Sequence, residues 1–225
     1  MEAILLCGGL GTRLKSVVKD LPKPMANING KPFLQILLEF LQKQGFKQVI
    51  LAVAYKFELI QDFFANDFKG MKLIYSIEKS PLGTGGGLRQ ALSYASQKEV
   101  FVLNGDSFFD INLKALSLEG QSKIILALKR MKEFDRYGEV RLTEAGFISS
   151  FREKEFVNEG LINAGIYLLK KDIFEGFILN DSFSFEDFLQ ANFKALKAKG
   201  LAFEGYFKDI GVPEDYEEFK RDFKG

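Results

Sequence analysis

The sequence predicts an α/β fold built on a doubly wound, mixed but mostly parallel sheet, and three observations carry that expectation. Short apolar runs alternate with segments of helical periodicity through the first half of the chain, and strands alternating with helices argue for parallel βαβ connections. The strand-like runs are apolar at consecutive positions, as strands buried on both faces require. Two of them break off at glycine, at Gly8-Gly9 and at Gly105, and ligands in such sheets bind outside the carboxyl ends of the strands.

Strands are expected over residues 2–7, 48–54, 72–77 and 100–103, and helices over 33–44, 57–65 and 86–95. In the first helix Phe33, Ile36, Leu37, Phe40 and Leu41 recur at helical spacing and make one apolar face. Gly45 follows at the C′ position, where glycine ends helices. The second half is more mixed: residues 124–128, 139–142, 148–151 and 161–169 read as strands, and 185–198 and 213–223 as helices. Glu144-Ala145-Gly146 reads as a hairpin turn. No repeat, low-complexity tract or linker interrupts the pattern, so one domain over residues 1–225 is expected, with nothing appended to it.

Composition narrows the function. The chain has 225 residues, 47% of them hydrophobic, enough for one substantial core. A net charge of +1 spread over 27% charged residues lacks the basic excess of a nucleic-acid binder. One cysteine excludes an internal disulfide framework. No apolar run approaches the roughly 20 residues of a membrane span, and no leader pattern opens the chain; a cytoplasmic protein is expected. There is no histidine, which excludes histidine bases, His-containing triads and histidine metal ligands. Carboxylates, Lys, Arg, hydroxyls and backbone dipoles are left, and transfer of a phosphorus group suits them, because it depends on positioning and charge neutralisation.

The glycines of Gly8-Gly9-Leu10-Gly11-Thr12-Arg13 let backbone N–H groups approach a phosphate, and Arg13 adds a cation. The dinucleotide fingerprint fails here, since Leu14 stands where its last glycine belongs, and the Gly-Lys-Ser/Thr ending of a P-loop is absent too. Lys23 sits between Pro22 and Pro24, so its backbone is stiff and can hold an ammonium at one point.

Gly8-Gly9-Leu10-Gly11-Thr12-Arg13-Leu14 followed by Pro22-Lys23-Pro24-Met25 resembles the signature of the sugar-1-phosphate nucleotidyltransferases. The same likeness continues, in the family's order, through Pro81-Leu82-Gly83-Thr84-Gly85-Gly86, Leu103-Asn104-Gly105-Asp106, Phe151-Arg152-Glu153-Lys154, Asn163-Ala164-Gly165-Ile166-Tyr167 and Phe207-Lys208-Asp209-Ile210-Gly211-Val212-Pro213. Within the family the chain most resembles the branch that joins GTP to D-glycero-α-D-manno-heptose 1-phosphate. It departs at Cys7, Phe207 and Val212, where the family often has alanine, tryptophan and threonine; none of these changes removes a charge.

The resemblance implies a Rossmann-like, GT-A-like domain without a left-handed β-helix, a nucleotide-binding half over about residues 1–110 and a sugar-binding half over about 111–225. It implies catalytic roles for Arg13, Lys23 and Lys154, and magnesium held by Asp106 and Asp209. The nucleotide would lie against Leu6, Gly8, Gly9, Gly11, Thr12 and Arg13, against Glu78, Pro81, Gly83 and Thr84, and against Asn104 and Gly105. The glycines at 83 and 85–87 would let backbone pass close to base and ribose, and the Glu78 carboxylate matches the paired N–H donors of guanine, which favours GTP. The sugar phosphate would lie against Gly138, Glu153, Lys154, Asn163 and Gly165.

The expected reaction is attack by a sugar 1-phosphate on the α-phosphorus of the triphosphate, releasing pyrophosphate and yielding a nucleotide sugar for surface polysaccharides. Three alternatives stand beside it. One is a mannose- or glucose-type acceptor with GTP, UTP or CTP, and another is a non-catalytic sugar-nucleotide sensor. The third is a glycosyltransferase, which would more often pair two acids around its metal where this chain has Asp106-Ser107-Phe108. The 24 phenylalanines leave room for an aromatic homodimer interface.

Overall fold

The computed structural model describes residues 1–9, 14, 17, 18 and 20–223. In chain order its first-half elements are β1 (Glu2–Leu6), β2 (Asn27–Ile28), β3 (Lys31–Pro32), α1 (Phe33–Lys43), β4 (Gln48–Val53), α2 (Phe57–Phe64), β5 (Asp67–Phe68), β6 (Met71–Ile77), α3 (Gly83–Leu92), β7 (Glu99–Asn104) and β8 (Ser107–Phe109). The second half adds β9 (Ile124–Phe134), β10 (Gly138–Leu142), β11 (Ile148–Lys154), β12 (Val157–Lys170), α4 (Phe185–Asn192), β13 (Lys199–Phe203), β14 (Phe207–Asp209) and α5 (Pro213–Asp222).

One ten-stranded sheet runs through both halves in the order β11-β10-β12-β7-β1-β4-β6-β5, with β9 pairing β12 and β13 joined to β9. Strands β7, β1, β4 and β6 are parallel, and β12 lies antiparallel to β7. The sheet is therefore mixed, with a parallel centre.

Alternation along the strands builds a core on each face. Ala3, Leu5, Val49, Leu51, Phe101 and Leu103 point to the side covered by α1, α2 and α5, while Ile4, Ile50, Val100 and Val102 point to the side covered by α3 and α4. On α1 the expected apolar face is buried, with Phe33, Ile36, Leu37 and Leu41 at most 2% exposed; each such side chain contributes roughly 2 kcal/mol. Gly45 takes φ +88° just past the helix end, as a C′ residue does.

The structure shifts several expected boundaries. Helix α3 begins at Gly83, three residues before the expected start at 86. Strands β9 and β12 run to 11 and 14 residues, longer than the apolar runs that announced them, because their outer ends carry charged residues on solvent-facing positions. Helix α4 stops at Asn192, short of the expected 198. The apolar-aromatic run at 201–207, read as leading to a strand end before Asp209, is split between the short strands β13 and β14, and β8 is an addition. The hairpin turn is present, with Gly146 at φ +78° donating its N–H to Thr143 O. No described helix is long and apolar enough to cross a membrane.

Candidate active site

Strand order reverses at β1: the chain moves outward to β4 and β6, then returns to place β7 on the other edge of β1. A crevice opens at the carboxyl ends flanking such a reversal. Here the two ends touch, since Gly105 N–H donates to Leu6 O at 3.0 Å. A Cβ at position 105 would lie 2.6 Å from that oxygen, so only glycine allows the approach.

Asp106 and Asp209 are 103 positions apart in the numbering, and a short ladder unites them. Strands β8 and β14 pair antiparallel with Asp209 opposite Ser107, and Ile210 N–H donates to Asp106 O at 2.9 Å. Lys23 Nζ donates to Asp106 Oδ2 at 2.7 Å, from a side chain only 13% exposed. The Pro22–Met25 turn fixes its backbone, with Met25 N–H on Pro22 O and Ala26 N–H on Lys23 O. Asp209 Oδ1 accepts from Gly211 N–H at 2.5 Å. Burial raises the Asp209 carboxyl above its usual range and the charge of Asp106 pushes the same way, opposed by Lys23 and by the Gly211 N–H. Among the described residues no group of three or more acidic, cysteine or histidine side chains surrounds a metal position; the carboxylates come as a pair.

Two cavities flank this pair. The first, of about 570 Å³, is lined by Leu6, Gly8, Gly9, Lys23, Glu78 and Pro81, together with Gly83, Thr84, Asn104, Gly105 and Asp106. Apart from Lys23 and Asp106, expected as a catalytic residue and a metal ligand, these are the described residues expected at the nucleotide. Gly11, Thr12 and Arg13 lie outside the described residues. Cys7 also lines this cavity, and burial drives its thiol well above the usual range, so it is not poised as a nucleophile.

The glycines and Thr84 also serve contacts within the chain itself. Glu78 is half-buried between Gly8 and Gly87: a Cβ on either would lie 2.7 or 2.6 Å from its Oε1. Glu78 Oε2 accepts from Leu82 N–H at 3.1 Å, and burial raises its carboxyl above the usual range. Gly85 and Gly86 open onto the chain itself, since a Cβ there would strike the Phe183 ring at 2.2 Å and Asp181 O at 2.4 Å. They let α3 pack against the segment leading into α4. The Thr84 hydroxyl accepts from Phe185 N–H and donates to Glu186 Oε2, both at 2.8 Å, so it ties α3 to α4.

The second cavity, of about 630 Å³, is lined by Gly138, Lys154, Asn163 and Gly165 among the residues expected at the sugar phosphate. Glu153 lies outside this lining, whereas Arg152 and Lys154, which share the other face of β11 by strand alternation, lie in it. The cavity also takes Arg152, from the quoted motif but with no role expected, and Arg136, Tyr137, Glu186, Asp187 and Gln190, which the sequence did not single out. Gly138 is a close-approach glycine, but what a Cβ would meet is Arg152 O at 2.6 Å. Asn163 is held from both ends: its Oδ1 accepts from Gly165 N–H at 3.1 Å and its Nδ2 donates to the buried Tyr167 hydroxyl at 2.8 Å.

Gly165 sits in a β-bulge at φ +73°, and a Cβ there would lie 2.5 Å from Asn104 Nδ2. Gly165→Ala is expected to cost about 2 kcal/mol, read as a lower urea midpoint, and to lower activity as well by displacing Asn104. Unchanged stability would mean that the bulge relaxes freely.

The two cavities share Asn104, Asp106 and Glu186 as common wall. The cavities adjoin along this wall, the waist of the site: Lys23 lines the first, Asp209 the second and Asp106 both.

A family model described as Nucleotidyl transferase matches residues 2–224. The chain is 59% identical over 219 residues to the D-glycero-alpha-D-manno-heptose 1-phosphate guanylyltransferase of Campylobacter jejuni subsp. jejuni serotype O:2, spanning 97% of this chain and 98% of that protein. It is 45% identical to the protein of the same description from Aneurinibacillus thermoaerophilus, over 100% of this chain and 99% of that one. Among solved structures, HddC from Yersinia pseudotuberculosis matches with a TM-score of 0.86 at 36% identity, over 99% of each chain. The same protein has been solved in complex with GMP-PN.

Proposed function

The chain belongs to the nucleotidyl transferase family, and from that premise we propose that it transfers a guanylyl group from GTP to D-glycero-α-D-manno-heptose 1-phosphate, releasing pyrophosphate. The observation that carries this reading is the cleft of two cavities meeting at Asn104, Asp106 and Glu186. A two-substrate transfer needs both reactants held side by side. The two relatives compared over nearly their whole length carry the name of this activity.

The triphosphate would enter the cavity walled by Gly8, Gly9 and Pro81, with Glu78 offering a carboxylate oxygen to the guanine edge. Arg13 would neutralise the departing pyrophosphate. Lys23, fixed at the waist, faces the α-phosphate. Lys154, with Arg152 and Arg136 in the same cavity, draws in the sugar phosphate. That phosphate is already ionised near neutral pH, its second pKa being about 6, so the attacking oxygen needs no base, in keeping with a chain that has no histidine. Asp106 and Asp209 would hold magnesium: two neighbouring carboxylates are hard oxygen donors, which this ion takes together with phosphate oxygens and water. Bound there, it would supply positive charge to the phosphates in transfer. A cytoplasmic setting and a product destined for surface polysaccharide complete the reading.

A pyrophosphate-release panel crossing GTP, ATP, UTP and CTP with heptose, mannose and glucose 1-phosphates tests it. GTP with the heptose phosphate is expected to be the fastest pair. Faster turnover with UTP or CTP would overturn the guanylyl assignment, and silence with every pair would favour a sugar-nucleotide sensor.

A further inference from the structure

Apart from Asp106 and Asp209 at the waist, the lining of the acceptor cavity carries its charges on separate walls. Its cations Arg136, Arg152 and Lys154 stand on the β9–β10 connection and on β11. Helix α4 contributes Glu186, Asp187, Leu189 and Gln190, and no cation. With no cation beside them the carboxylates of α4 repel a phosphate, whereas at the waist Lys23 offsets Asp106 and Asp209; sugar hydroxyls donate to carboxylates and exchange hydrogen bonds with an amide.

Along α4 the residues also differ in place and in what they already hold. Glu186 lines both cavities, so it marks their junction, and its Oε2 is occupied by Thr84 at 2.8 Å and Ser184 at 3.3 Å. Gln190 lines the acceptor cavity alone, and a rise of 1.5 Å per residue puts it about 6 Å further along the helix. Asp187 and Gln190, three apart, share a helix face. Both are exposed, and among the described residues neither side chain makes a hydrogen bond or ion pair. Leu189, buried at 1% exposure, anchors the helix behind them.

We propose that Asp187 and Gln190 read the hydroxyl groups at the end of the acceptor sugar remote from its phosphate, so that α4 sets which sugar 1-phosphate is used. This rests on the guanylyl-transfer reading and adds its selecting surface. The reacting phosphate must reach the waist at Asp106 and Lys23, which leaves the far end of the sugar to extend along α4. A manno-heptose carries one more hydroxyl-bearing carbon at that end than mannose does.

The test compares kcat/KM for D-glycero-α-D-manno-heptose 1-phosphate and α-D-mannose 1-phosphate, at saturating GTP, in wild type, Asp187→Asn, Gln190→Ala and the double variant. The heptose-to-mannose ratio is expected to fall about three- to tenfold for Gln190→Ala, the size of one lost neutral hydrogen bond, and further for the double variant. Thermal stabilisation by GTP in the same preparations separates loss of fold from loss of recognition. A wild-type ratio in a folded double variant would overturn the proposal. A wild-type enzyme that releases no pyrophosphate with either sugar would bring down the underlying reading, and the proposal with it.

Discussion

Asp209→Asn is expected to lose about a hundredfold or more in kcat for pyrophosphate release while melting at or above the wild-type temperature in metal-free buffer. The two halves of that result have one cause. Asp209 is held beside Asp106 at the end of a two-stranded ladder, and burial and that neighbour both work against its negative charge. Asparagine keeps an oxygen for the Gly211 N–H, so the local backbone keeps its bond. The neutral side chain relieves the repulsion, and stability does not fall. The relief removes what the chemistry uses, because a divalent cation among phosphates needs charged oxygen donors. Near-normal turnover in the folded variant would remove Asp209 from the metal assignment. A large loss of stability would show that its charge serves the fold.

Lys23→Met is expected to cost a similar factor, about a hundredfold in kcat, and to lower the magnesium concentration needed for half-maximal rate. Lys23 Nζ lies 2.7 Å from Asp106 Oδ2 and is largely withdrawn from water, so its interaction is weakly screened. In the free protein it neutralises one of two neighbouring acids, in competition with any cation those acids would bind. During transfer the same ammonium stabilises charge at the α-phosphate. Methionine preserves the stem's bulk and removes both effects, so rate and cation affinity should move in opposite directions. If both fall together, Lys23 supports the metal site instead of competing with it. A wild-type rate would show that it does not face the reacting phosphate.

The parallel centre of the sheet was legible because β1, β4 and β7 are buried on both faces and therefore apolar at consecutive positions. The turn at Gly45 was legible because glycine ends helices with a left-handed φ; the close approach of Gly105 to Leu6 O was not, since nothing local says which backbone it will meet. The meeting of Asp106, Asp209 and Lys23 was not readable from spacing. It depends on a ladder of three residues per strand and on an ion pair spanning 83 positions. Local physics offered each residue singly, Lys23 between two prolines and each aspartate after an apolar run; the resemblance joined them in one site.

The glycines of 83–87 misled for an instructive reason. Their low helix propensity argues for a loop, yet α3 begins at Gly83 because packing against Asp181 and Phe183 demands residues without side chains. Helix α4 was visible as a helix, but no pattern in residues 185–198 said which face would meet a cavity. Glu186, Asp187 and Gln190 became site candidates only when β12 and α3 were in place around them.

On the reading proposed above, the two cavities bring both substrates together, so that the sugar phosphate attacks the nucleotide directly at the waist formed by Asp106, Lys23 and Asp209. The configuration at phosphorus tests it most directly. With one diastereomer of GTP carrying sulfur at the α-phosphate, a single in-line displacement predicts a nucleotide sugar of inverted configuration. Retention would mean two displacements, with the guanylyl group first carried by a side chain such as Lys23, and would contradict the account.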